Sequence, residues 1–142
     1  MSNVNGRFVW YELMTMDLAA ARQFYDSVVG WNSTESPMPG HDYWTFKAGD
    51  TPVAGAMVLP EEARNMGAPP NWMGYVEVVD VDATASQVTA SGGTVRVPPT
   101  DIPSVGRFAV IADSHGASIG LITSANPEQE VTVAWEKPGH VG

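Results

Sequence analysis

Phe8-Val9-Trp10-Tyr11-Glu12-Leu13-Met14, followed by Asp17-Leu18-Ala19-Ala20-Ala21-Arg22-Gln23-Phe24-Tyr25, is the stretch that decides the fold. The first run is apolar and β-favouring. The second opens on an aspartate able to accept the free amides of a helix start, and Gly30 supplies a stop. Strand then helix is the reading. Downstream, Trp31 opens a polar stretch toward Pro37, Pro39 and Gly40, which suggests a short strand and a turn. Tyr43 to Lys47 and Val53 to Leu59 read as two further strands joined by Ala48-Gly49-Asp50-Thr51-Pro52. The first module is therefore β-α-β-β-β.

Residues 60–70 have the composition of a linker, with a helical turn possible from Pro60. The order then starts again. Trp72 to Val79 is strand-like, Ala83 to Ala90 is a short helix capped by Asp80 or Asp82, and Gly92-Gly93 ends it. Thr94 to Val97, Arg107 to Ile111 and Ser118 to Ile122 are three more strands, with Asp113-Ser114-His115-Gly116 as the turn between the last two. A shift of 63 positions lays Asp17 on Asp80, Ala20 on Ala83 and Gly30 on Gly93, the pattern of a duplicated unit.

Composition bounds what such a chain can do. Its 142 residues suit one domain with a packed core, 44% being hydrophobic and 16% charged. The formal charge of −9 would repel phosphate backbones and anionic lipid, so neither nucleic acid nor a membrane is expected as a partner. Cysteine is absent, which excludes disulfides and thiolate chemistry. With no apolar run long enough to span a bilayer and no basic, apolar start, a cytoplasmic location is expected.

Trp10-Tyr11-Glu12-Leu13-Met14-Thr15-Met16-Asp17, Phe24-Tyr25, Gly30-Trp31, and in the second half Val78 to Ala83, Gly92-Gly93 and Asp113 to Ala117 together resemble the glyoxalase, bleomycin-resistance and extradiol-dioxygenase (vicinal oxygen chelate) superfamily, and within it an actinobacterial glyoxalase-like subgroup. That resemblance implies an α+β fold in which two βαβββ modules, about 7–60 and 72–124, form a paired mixed β-sheet enclosing a cleft. Residues 1–125 would be the domain. Residues 126–142 would be a tail or a linker toward a second domain, since the subgroup often carries two in tandem, and a homodimer or such intramolecular pairing is expected.

Enzymes of the superfamily hold a divalent metal through side chains from four strands, and the resemblance places those positions here. Seven residues before each helix-starting aspartate stand Trp10 and Met73; four after the turn glycine stands Gly120. The fourth position falls within Pro52 to Pro60, which holds no Asp, Glu, His or Cys. An indole, a thioether and a glycine are unsuited to zinc, iron(II) or manganese, so no cofactor is expected, a divalent metal being the alternative. Glu12 and Glu77 are the carboxylates whose strand parity turns them inward; they could form a weak hard-metal site or act as acid or base, Glu12 being the candidate, but a carboxylate satisfied by amides, a tyrosine or an arginine is the commoner case, more so for Glu77. His41, His115 and His140 fall in loops, a turn and the tail.

The expected ligand-binding residues are Trp10, Glu12, Met57, Met73, Tyr75 and Gly120, an apolar and aromatic surface with one carboxylate. The first expectation is metal-independent binding of a small aromatic or partly apolar molecule, by sequestration or sensing. A lyase, isomerase or dioxygenase acting on a small oxygenated metabolite such as an α-ketoaldehyde is the second. The third is an assembly half of a tandem protein.

Overall fold

A computed structural model describes residues 5–36 and 42–125. The elements run β1 (Phe8–Thr15), α1 (Leu18–Val29), β2 (Asn32–Glu35), β3 (Tyr43–Ala48), β4 (Thr51–Val58), α2 (Glu61–Asn65), β5 (Asn71–Glu77), α3 (Val81–Ala90), β6 (Thr94–Ile102), β7 (Gly106–Ala112) and β8 (Ser118–Ser124). The β-α-β-β-β order thus occurs twice, as the sequence predicts, and the helical turn after Pro60 forms as α2. The tail at 126–142, together with His41 and His140, lies outside the described residues. Among the described residues, no helix is long and apolar enough to cross a membrane.

Capping explains why both modules begin alike. Asp17 accepts the amide of Ala20 at 3.0 Å, and Asp80 accepts those of Asp82 at 3.0 Å and Ala83 at 3.1 Å, so Ala20 and Ala83 are equivalent. The helix stops differ. Gly30 closes α1 in the left-handed region, whereas α3 closes on Ser91 and it is Gly92, not Gly93, that takes a positive φ. Gly93 serves another need: a Cβ there would crowd the carbonyl oxygen of Ala112.

The chain forms two compact units. In one, which among the described residues comprises 10–36 and 42–73, strand order is β2-β3-β4-β1; β1 runs parallel to β4, with Glu12 opposite Gly55 and Met14 opposite Met57. One face of that sheet packs on α1, burying Leu13, Leu18, Phe46, Ala54 and Ala56. Phe46 is fully buried and sits among Tyr25, Trp31 and Trp72, ring centroids 5.1 to 6.3 Å away. Phe46→Ala is expected to cost about 3–5 kcal/mol, read as a lowered urea midpoint; a loss below about 1 kcal/mol would show that these rings re-pack without it.

The other unit, among the described residues, comprises 5–9 and 74–125, with strand order β5-β8-β7-β6. Tyr75 lies opposite Gly120 on the parallel pair β5 and β8, and α3 covers Val81, Ala109 and Leu121. β6 extends through Pro98 and Pro99 to Ile102, past the four-residue strand expected from sequence, because it ends the strand order and its register shifts between Val97 and Thr100. Arg107 clasps Asp82 through two bonds of 2.8 and 3.0 Å and reaches Asp101 at 3.0 Å; its guanidinium holds the Asp82 carboxyl below the usual range. The turn Asp113-Ser114-His115-Gly116 forms as predicted, Asp113 accepting the amides of His115 and Ala117, with Gly116 at positive φ.

The chain path does not follow the repeat boundary. Gly6 donates its amide to the Glu77 carbonyl at 2.7 Å, and Glu77 donates to the Arg7 carbonyl at 2.9 Å, so residues 5–9 belong to the second-module unit. Conversely, the start of β5 belongs to the first-module unit, where the Trp72 indole N–H donates to the Tyr25 hydroxyl at 3.0 Å. Trp72 therefore points away from the face that carries Met73.

Candidate functional site

In the first-module unit, Trp10, Glu12 and Met14 alternate with Tyr11 and Leu13, which face α1. Gly55 and Met57 stand opposite Glu12 and Met14 and share their face. Tyr43, opposite Met57 on β3, sends its ring across this face. Its hydroxyl donates to Glu12 Oε2 at 2.6 Å and accepts from the Trp10 indole nitrogen at 3.1 Å. The result is a chain of three groups, indole N–H to phenol to carboxylate, with Glu12 and Tyr43 buried and Trp10 half-buried.

Gly55 makes that chain possible. A Cβ at residue 55 would collide with the Tyr43 hydroxyl and its ring carbon Cζ, so any larger residue would push the phenol off the carboxylate. Sequence reasoning placed Trp10 and Glu12 together and missed Tyr43. The signal that could have found it is the glycine itself, since a glycine inside a strand marks close approach by another group.

The same device recurs in the other unit. The ring of Tyr75 lies directly over Gly120, and a Cβ on Gly120 would meet Cγ, Cδ2 and Cε2 of that ring. Phe108 packs edge-on to Tyr75 with centroids 6.4 Å apart. Tyr75 and Gly120, both buried, are thus brought together, with the ring filling the space a side chain at 120 would need. Glu77, on the face of Tyr75, accepts from the Ser124 amide at 2.9 Å and the Ser124 hydroxyl at 2.6 Å; it is a satisfied buried carboxylate. Met73 is buried. His115 is exposed in its turn.

At the positions that the family resemblance assigns to metal ligands, the donor chemistry does not fit a metal. Trp10 presents an indole donor already directed at Tyr43, Met73 a buried thioether, and Gly120 a backbone under an aromatic ring. β4 supplies Gly55 and Met57. Among the described residues, no group of three or more His, Cys, Asp or Glu is placed to hold an ion.

Of the predicted ligand-binding residues, only Trp10 and Met57 are half-buried rather than buried. Met57 also lines a hollow of about 280 Å³ at the carboxyl end of β4, with Asp42, Val58, Leu59, Pro60, Glu61 and Arg64. In the same unit, Arg22 lies flat on Trp44, 3.3 Å from its ring centroid, and donates to Ser33 at 3.3 Å, which donates in turn to Asp26 at 2.8 Å.

Comparison with known proteins places these features in context. The family model described as Glyoxalase/Bleomycin resistance protein/Dioxygenase superfamily matches residues 7–121. A Mycobacterium tuberculosis protein named "Putative glyoxylase CFP32" is 42% identical over 128 residues, 89% of this chain and 47% of that protein. The Streptomyces peucetius "Anthracycline biosynthesis protein DnrV" is 35% identical over 123 residues, 86% of this chain and 43% of that protein. The chain spans about half the length of the curated relatives it matches. A variant of Streptomyces coelicolor methylmalonyl-CoA epimerase, solved with 2-nitronate-propionyl-CoA, superposes with a TM-score of 0.60 at 20% identity, covering 88% of this chain and 99% of its own. At that identity the likeness is one of fold.

Proposed function

Since the chain belongs to the Glyoxalase/Bleomycin resistance protein/Dioxygenase superfamily, we propose that within that family it is a metal-independent binder of a small, flat, partly apolar molecule. The observation that carries this reading is the Tyr75 ring packed over Gly120, which, with the indole of Trp10 and the buried thioether of Met73, leaves no metal donor at the positions that the family resemblance assigns to one. A half-buried indole and a half-buried thioether, Trp10 and Met57, offer polarisable contact area to a planar ring system. Relatives named for anthracycline biosynthesis support a polycyclic aromatic as the ligand class. Sequestration or sensing needs no more than this binding.

The test is titration of a neutral anthraquinone while indole fluorescence is followed. Saturable quenching with micromolar affinity is expected, weakened about tenfold or more in Trp10→Ala, an effect of about 1.4 kcal/mol or more. Failure of any planar polycyclic to bind would remove the reading.

A second reading is favoured by one specific observation, the chain from Trp10 through Tyr43 to Glu12. A carboxylate hydrogen-bonded to a phenol can take a proton and share it, which is what a lyase or isomerase acting beside a carbonyl requires. Turnover of an α-ketoaldehyde adduct, lost in Glu12→Gln, would put this reading first; stoichiometric divalent metal that is lost in the same variant would overturn the metal-free premise of both.

A further inference from the structure

The hollow at the carboxyl end of β4 has a chemistry distinct from the face that holds Trp10 and Tyr43. Its walls are Met57, Val58, Leu59 and Pro60, and its polar groups are Asp42, Glu61 and Arg64. At about 280 Å³ it lies at the lower edge of ligand-pocket volumes, roughly 300 Å³ and upward, and so suits a substituent better than a whole polycyclic molecule. Met57 lines the hollow and also lies on the sheet face that carries Trp10 and Glu12.

Its charged groups are unequally committed. Asp42 accepts the indole N–H of Trp44 at 3.2 Å. Glu61 stands in the first turn of α2, where a negative charge is favoured by the unpaired amides. The Arg64 guanidinium has no hydrogen-bond or ion-pair partner among the described residues, although two carboxylates line the same hollow. A guanidinium left open beside an apolar wall is suited to an oxyanion, through two parallel N–H donors.

We propose that this hollow is a subsite for an anionic oxygen substituent, a carboxylate or an acidic phenol or enol carried by the ligand's ring system, and that Arg64 is its recognition residue. This rests on the planar-ligand reading above. It adds selectivity in a protein whose overall charge of −9 disfavours anions: a ligand that brings its anion to Arg64 meets a counter-charge there.

The experiment compares two probes of nearly equal ring surface, anthraquinone carboxylate and its uncharged hydroxymethyl analogue, against the full chain and against Arg64→Ala and Arg64→Lys. In the wild-type protein the carboxylate should bind about tenfold tighter than the neutral probe, a preference that Arg64→Ala abolishes without changing the neutral probe and that Arg64→Lys keeps in part. Equal affinity of the two probes in the wild type, or a preference that persists in Arg64→Ala, would overturn the subsite while leaving planar-ligand binding in place. Absence of binding by either probe would overturn both.

Discussion

Gly120→Glu, which puts a carboxylate at the position that the family resemblance assigns to the last metal donor, is expected to destabilise the protein by about 3 kcal/mol or more and to confer no metal affinity. The cause is the Tyr75 ring, whose body rather than its flexible tip occupies the space a Cβ would take. Phe108, edge-on to that ring, limits its retreat. A charge brought into this buried place would also lack the solvent it needs. Urea unfolding reads the loss, and Tyr75→Gly combined with Gly120→Glu should recover part of it by clearing the ring. A Gly120→Glu protein that is as stable as wild type and that holds nickel or zinc stoichiometrically would contradict the whole account of the metal positions.

The second large effect concerns the buried phenol and carboxylate. Tyr43→Phe removes the hydroxyl that donates to Glu12 at 2.6 Å and is expected to cost about 1–3 kcal/mol, since the donor lost served a buried charged acceptor. Glu12→Gln should cost less in the Tyr43→Phe background than alone, with a coupling of about 0.5–3 kcal/mol from the double-mutant cycle. Gly55→Ala should mimic Tyr43→Phe, because the added methyl displaces the same hydroxyl. Strict additivity of Tyr43→Phe and Glu12→Gln would mean that the short contact carries no net energy.

What the sequence made legible, and what it did not, divides along the range of the forces involved. Asp17 and Asp80 could be read as caps because a cap is a local event, completed within three residues. The order of strands and helices followed from runs of apolar residues bounded by glycine and proline, and Glu12 could be assigned to an inward face from parity alone. Tyr43 could not: it meets Glu12 across 31 positions, and only the pairing of β3 with β4 and of β4 with β1 brings them together. Gly92 and Gly93 show the same limit in small form. Either could end a helix by composition, and that residue 93 has no room for a side chain follows only from the carbonyl of Ala112, on another strand. Glu77 was correctly placed inward, but its engagement by Ser124 depends on β8, 47 residues away.

The exchange of strand beginnings between the two compact units has a consequence for synthesis. Because Gly6 and Arg7 pair with Glu77, these two residues must wait for some 70 more to be synthesised before their backbone partners exist. A break placed in the linker between the sequence repeats would not yield two self-sufficient pieces: the leading piece would carry an orphan amino-terminal segment, and the trailing piece would carry Trp72 stripped of its aromatic neighbours. The repeat is legible as two sentences in the sequence, but the chain can only be spoken as one.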